Sequence, residues 1–411
     1  MSRIPIVRNS DYRLNGPKSY AYALIKYNLT PSQPGKFYRE NAHSKLMMKN
    51  TDGAHAIVTA DDVMNDSFYT CPVQVGTPPQ TLDLNLDSGS SDLWFWSTKL
   101  DKRVQRAGKA NEVAIFDTAK SSTFKPVPSS TWRITYGDGS GASGIVGTDD
   151  IQIGDITVKG QAIELATKIS SSFQNQTSSG LLGLAWGDLN TVTPTPVKTP
   201  VENMIAQGSL PTDAQMWSCY LGSVKDINDP DHGNSWYLFG PHDKSVVEAS
   251  GQEIAWTPID NTQGFWMFDS DAATINGQTL ELPEGKAMAD TGTTLMLCDD
   301  KFCQALYDAV DGARFDPQVG GWILPSDNID KRPDLKVKVG ADKYITIEKE
   351  QLSWAELEDG SGMSFGSIQS NGNAPFAIFG DTFLQCCYAI FDVGNQRFGC
   401  VQRPDPTPAG K

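Results

Sequence analysis

The sequence predicts a two-lobed, mainly β protein, and three observations carry that expectation. The first is a near-repeat. Asp87-Ser88-Gly89-Ser90-Ser91 and Asp290-Thr291-Gly292-Thr293-Thr294 begin 203 residues apart, each after an apolar, strand-like run (Leu82-Asp83-Leu84-Asn85-Leu86, then Ala287-Met288-Ala289). The second is a hydrophobic-Gly turn at a similar remove. Gly183 of Leu181-Leu182-Gly183-Leu184 lies 96 residues after Asp87, and Gly380 of Ile378-Phe379-Gly380-Asp381 lies 90 after Asp290. So long a period suits two similar lobes rather than a solenoid. The third is composition: 37 Gly and 24 Pro, scattered rather than clustered, fit many short strands joined by tight turns. With 411 residues the chain can bury two cores. Amphipathic helices are expected over 18–27, 200–207 and 299–310 only. No stretch reaches the roughly 18 to 20 apolar residues that cross a bilayer, and the polar C-terminus encodes no lipid-anchor tail.

Charge divides the chain. Residues 1–60 hold nine Lys or Arg against three acids, a surplus of six positive charges, although the whole carries −15. The remainder is therefore at −21, which repels nucleic acid and anionic membranes. A basic N-terminal segment on an acidic body is an electrostatic latch that weakens as carboxylates protonate.

The doubled motif also has a chemical reading. One Asp-Ser-Gly is an ordinary turn; two, one from each half, supply a carboxyl pair. Two carboxyls forced together cannot both ionise, so one keeps its proton while the other acts as a base. Such a pair can activate water and protonate a leaving amine. No metal is expected, since His43, His55, His232 and His242 lack ligand spacing, and no cofactor is called for.

With these residues in view the chain resembles the pepsin-type aspartic peptidases, most of all the secreted fungal members. The likeness includes Val75-Gly76-Thr77-Pro78-Pro79-Gln80 before the first Asp, Leu93-Trp94 after it, Ile134-Thr135-Tyr136-Gly137-Asp138-Gly139-Ser140, and the closing Phe391-Asp392…Phe398-Gly399. The resemblance implies a bilobal pepsin-like fold of two related β-barrel-like lobes with a central cleft. It divides the chain into a prosegment (1–55), an N-terminal lobe (56–246) and a C-terminal lobe (247–411). The implied activity is acid endopeptidase on protein or peptide substrates, by a monomer, with Asp87 and Asp290 as the catalytic pair.

Further roles follow from the resemblance. Ser88 and Thr291 would bond across the lobe interface, and Ser90 and Thr293 would bond the outer carboxylate oxygens. Gly89, Gly292, Thr293 and Thr294 would border the substrate. Tyr136, Gly137 and Asp138 would form a flap over it, with Trp94 orienting the Tyr136 ring and Asp138 favouring Lys before the cut. Phe173 and Leu181 would line the apolar pocket. Arg3-Ile4-Pro5-Ile6-Val7-Arg8 resembles the opening of a prosegment that inhibits its own enzyme. Lys36-Phe37 is the expected Lys-aromatic pair in the cleft, with Lys26-Tyr27 as the alternative, and clipping is expected between about 48 and 66.

Met1 to Val7 is too short and Pro-broken for a signal h-region of about 7 to 15 residues, so numbering from near a signal cleavage site is expected. Localisation is then extracellular, or vacuolar as the alternative. The seven cysteines form no framework. The disulfide common in fungal relatives falls by local alignment on Ser326 and Ser364, and Cys298 and Cys303 are expected as free thiols. Sequons stand at Asn28, Asn65 and Asn175. A non-catalytic binding relative would have lost an Asp or the flap Tyr. A phosphoryl-transfer reading of Asp290 lacks the following Lys.

Overall fold

The computed structural model describes residues 3–8, 14–36, 38–39, 69–135, 141–170, 178–222 and 235–404. They form a mainly β molecule with an eight-stranded and an eleven-stranded sheet and two four-stranded sheets. The near-repeat is legible in the strand pairing. In the first half, strand Gln80–Asp87 runs parallel to Gly180–Gly183, which is antiparallel to Leu93–Phe95. In the second, Lys286–Ala289 runs parallel to Ala377–Phe379, which is antiparallel to Met296–Cys298. Each hydrophobic-Gly segment is thus the middle strand, and each Asp turn wraps its end. Asp87 pairs with Gly183, and Ala289, one residue before Asp290, pairs with Phe379.

Alternation explains the first of these strands. Leu82 and Leu84 point inward and Asp83 outward, after which both faces are buried through Leu86. The two halves are joined by a sheet. Met216–Tyr220 pairs with Cys387–Asp392, and Trp217 stacks on Phe391 at 3.8 Å between ring centres. The boundary drawn at 246/247 falls inside helix Lys244–Ser250, and strands from either side of it share this eleven-stranded sheet.

The N-terminal segment is woven into both large sheets. Ile4 and Pro5 pair with Tyr237 and Trp236, while Val7 and Arg8 pair with Thr70 and Tyr69. It continues into helix Gly16–Lys26, whose start is fixed by Asn15 accepting from the Lys18 N–H at 3.1 Å and by Pro17 in the first turn. The other two expected helices are Pro200–Ala206, with a Thr199/Glu202 capping box, and Asp300–Asp308, capped by Asp299. Helix Lys102–Ala110 is absent from the expected set, because its sequence, with four of nine residues basic, buries only Gln105 and Gly108. All seven cysteines are buried thiols. Where the relatives' bridge was aligned, Ser326 Oγ and Ser364 Oγ are 2.8 Å apart in a hydrogen bond.

Candidate active site

The two Asp turns meet back to back. The Ser88 N–H donates to Thr291 Oγ1 at 3.0 Å, and the Thr291 N–H donates to Ser88 Oγ at 2.9 Å. Each hydroxyl then donates onward into the opposite half, Ser88 to the Ala289 carbonyl and Thr291 to the Leu86 carbonyl. This closed ring of four bonds is buried, where unpaired groups would be costly, so it fixes the turns relative to each other.

The ring sets two carboxylates side by side. Asp87 is 1 % exposed and Asp290 is fully buried. Their surroundings are mirrored: Asp87 Oδ1 accepts the Gly89 N–H at 2.8 Å, and Asp290 Oδ1 accepts the Gly292 N–H at 2.9 Å. The Oδ2 atoms accept from Ser90 Oγ (2.7 Å) and from Thr293 Oγ1. The glycines leave the space between them clear: a Cβ on Gly89 would lie 2.6 Å from Asp290 Oδ1.

An ammonium fills that space. Lys26 Nζ donates to Asp87 Oδ1 at 2.8 Å and to Asp290 Oδ2 at 2.9 Å, with its side chain only 5 % exposed. Tyr27 Oη donates to Asp290 Oδ2 at 2.5 Å, its ring edge-on to Phe265. Burial works to raise both carboxyls. For Asp87 burial wins over Lys26 and the pKa is raised. For Asp290 the Lys26 ammonium and the bonds from Asp87, Thr293 and Tyr27 outweigh burial, lowering it to about 2. Burial lowers Lys26, but the two aspartates overcome it and raise the ammonium well above its usual range.

The ammonium between the carboxylates is Lys26, and the expectation of Lys36 is corrected. Helix Gly16–Lys26 is buried on both flanks. Tyr20, Ala23 and Leu24 pack with second-half residues such as Leu297 and Phe365, whereas Tyr22 and Ile25 pack with Trp94, Trp132 and Leu181. Its last residue therefore goes deepest between the halves. Beyond it the chain turns back through Asn28, in the left-handed region at φ 53°. The Thr30 N–H then reaches Asn373 and Tyr38 Oη bonds the Leu29 carbonyl, leaving Lys36 exposed on the outside.

Of the other expected site residues, Leu181 and Trp94 are buried in one cluster, and Trp94 stacks on Trp132 at 5.8 Å. Thr294 is buried, its carbonyl accepting from Thr382 N and Oγ1. Tyr136, Gly137, Asp138 and Phe173 lie outside the described residues, as do Asn65, Asn175 and the expected clipping region. Asp92, Glu164 and Asn190, a buried polar group directly behind the first turn, gave no sequence signal beyond Asp92 following the motif. Among the described residues no three His, Cys, Asp or Glu side chains gather as a metal-ligand set, and no helix is long and apolar enough to cross a membrane.

Two carboxyls arranged in this way can share one proton once the cation is gone, so that one accepts a proton from water while the other gives one up. Comparison with known proteins bears on this arrangement. Residues 68–403 match the family described as eukaryotic aspartyl protease. The chain is 36 % identical over 387 residues to endothiapepsin of Cryphonectria parasitica, covering 94 % of this chain and 86 % of that one. It is 39 % identical over 343 residues to aspergillopepsin-1 of Aspergillus pseudoglaucus (83 % and 80 % covered). It is 36 % identical over 388 residues to penicillopepsin-1 of Penicillium rubens (94 % and 87 %). The chain belongs to the eukaryotic aspartyl protease family and is a pepsin-type hydrolase.

Proposed function

We propose that the protein is an acid endopeptidase in its proenzyme form, with Asp87 and Asp290 as the catalytic pair and residues 1–55 as its own inhibitor. The observation that carries this reading is the Lys26 ammonium seated between two otherwise mirrored carboxylates. A cation there favours the ionised form of both and occupies the place of the attacking water. Acid protonates Asp87 first, because burial raises its carboxyl, and neutralises the acidic body, so the latch loosens before Asp290 itself takes a proton. Asp290 is lowered in the folded state, so its stabilising contribution is present above the ordinary carboxylate range, about 4, and fades as pH falls through about 2.

With the segment gone, each Asp retains the same two donors, a glycine N–H and a hydroxyl, so neither carboxyl is strongly favoured to hold the proton. Aspartic proteases are the established case of two carboxyls sharing one proton. The ionised member takes a proton from water as its oxygen bonds to the scissile carbonyl carbon. The protonated member gives its proton to the carbonyl oxygen. The tetrahedral diol then collapses, the C–N bond breaks and a proton passes to the leaving amine. No covalent enzyme intermediate forms.

A preference for bulky apolar residues beside the cut is supported by the wall of Trp94, Trp132 and Leu181, now covered by Tyr22 and Ile25 of the segment. Asp138 would accept Lys before the cut; if Asp138→Ala cuts a Lys-containing substrate no more slowly, that element fails. The chemistry suits an acid compartment, the extracellular space or the vacuole, and a monomer is sufficient for it.

The test is incubation at about pH 3 to 4, below the usual carboxyl values, of wild type and Asp290→Ala. Loss of roughly 50 N-terminal residues, together with cleavage of an unfolded protein that a transition-state-mimic inhibitor blocks, is expected in wild type alone. No cleavage, even after another protease has clipped the segment, would sink the reading.

A further inference from the structure

A second pair of acids is buried behind the first Asp turn. Asp92 ends the turn, and Glu164 sits on strand Ile156–Ile169, paired in register with Trp94. Asp92 is 2 % exposed and Glu164 is fully buried. The Asn190 amide ties them together: its Nδ2 donates to Glu164 Oε1 at 2.9 Å, to Asp92 Oδ1 at 3.2 Å and to the Ser91 carbonyl at 3.3 Å. Asp92 Oδ1 also accepts from the Thr191 N–H and hydroxyl, each at 2.9 Å. Glu164 Oε2 is buried, and the two carboxyls lie within hydrogen-bond reach of each other.

The groups facing this pair are Asn190 and Thr191 from the loop after Gly187–Leu189 and the Leu93 backbone from the neighbouring strand. None is a cation, and neither acid forms an ion pair among the described residues. Donors converge on Asp92, so the negative charge is best held there. A second charge on Glu164 would be buried, uncompensated and beside a like charge, which is among the costliest arrangements in a protein interior. Burial first, and then Asp92, push the Glu164 carboxyl well above its ordinary range.

The group reaches the turn that carries Asp87 at its far end, through the Asp92 side chain and the Asn190 amide on the Ser91 carbonyl, and the backbone of the same turn is pinned to the neighbouring strand. Gly183 donates to the Asp92 carbonyl at 2.8 Å, Ala185 to that of Ser90 at 2.9 Å and Leu184 to that of Asp87 at 2.8 Å. We propose that Asp92, Asn190 and protonated Glu164 form a positioning cluster that holds the Asp87 turn only while it carries its single proton, so that it sets the neutral-side limit of the enzyme's working range. This rests on the reading of Asp87 as catalytic. The sign is fixed by linkage: a carboxyl raised in the folded state contributes stability below its unfolded value, and that contribution is lost as pH rises through the folded value.

Glu164→Gln keeps the shape, supplies an N–H and has no proton to lose. Segment-free wild type and Glu164→Gln would be held at about pH 5 to 9, then returned to acid for kcat and KM, with circular dichroism read at each holding pH. The variant's inactivation and unfolding midpoints are expected to rise by about one pH unit or more, with acid-side kcat/KM within about twofold of wild type. A merely structural contact would leave the midpoint where it is. Should Glu164→Gln fail to fold, Asp92→Asn also leaves a single carboxyl and carries the same expectation. Midpoints coinciding with wild type overturn the cluster. A shifted unfolding midpoint in a protein that never cleaves in acid overturns the protease reading instead and leaves the proton-holding pair standing.

Discussion

Replacing Lys26 with Met keeps the length and apolar stem of the side chain but leaves Asp87 and Asp290 facing each other without the ammonium at 2.8 and 2.9 Å. Removing one member of a buried ion pair costs about 3–5 kcal/mol. Some of that cost is recoverable here, because one carboxyl can take a proton. Using pepsin's upper dyad value of about 4.7 as a guide, that proton costs about 3 kcal/mol at pH 7 and close to nothing below pH 5. Docking of the segment should therefore weaken by roughly 150-fold near neutrality, with the difference shrinking in acid. The assay is binding of a transition-state-mimic inhibitor to full-length protein across pH, normalised to the segment-free enzyme. The inhibitor enters only when the segment is out, so its apparent Kd scales inversely with the open fraction. Lys36→Met is the internal control, since Lys36 is exposed. Unchanged inhibitor binding in Lys26→Met, or tightening in Lys36→Met instead, would refute the argument.

Ser88→Ala should leave the Thr291 N–H buried and unpaired and lower unfolding stability by about 1–3 kcal/mol, read from the denaturant midpoint. In Gly380→Ala the new Cβ would collide with the carbonyl oxygens of Thr293 and Leu295. The turn must shift, and loss of acid activity or of soluble protein is expected while Gly208→Ala, in open space at φ 68°, is far milder. Arg3→Ala removes a half-exposed bridge to Asp243 at 2.6 Å and a stack over Trp236. It should change segment release by no more than about 1 kcal/mol, with the effect fading in high salt.

How far the sequence could be read depended on how local the determining interaction was. The Asp turns and their glycine partners carry their own signature, and the strand pairing reproduces the repeat residue for residue. The cross-bonds of Ser88 and Thr291 followed from the resemblance. Lys26 against Lys36 could not be decided from local sequence, because both precede an aromatic residue. The deciding facts are long-range: a helix buried on two flanks drives its last residue inward, and the reversal at Asn28 carries Lys36 away. The pattern Tyr20, Leu24 and Tyr22, Ile25 did encode two apolar flanks, and it was the available clue. Helix Lys102–Ala110 was hidden for the opposite reason, since its burial rests on Gln105 bonding the Thr98 and Leu100 carbonyls. The Asp92–Glu164 pair joins residues 72 positions apart, which no local pattern reveals.

The hydroxyl pair at Ser326 and Ser364 changes how the second lobe is held closed. A covalent bridge across those 38 residues would restrict the unfolded chain by about 4 kcal/mol, whereas a hydrogen bond contributes about 1. Seven buried thiols and no cross-link mean that a reducing environment takes nothing from the fold's stability. Reductant should leave its melting temperature unmoved. A Ser326→Cys/Ser364→Cys variant, once oxidised, would recover up to about 3 kcal/mol, making the lobe's strength conditional on an oxidising environment in a way the present chain avoids.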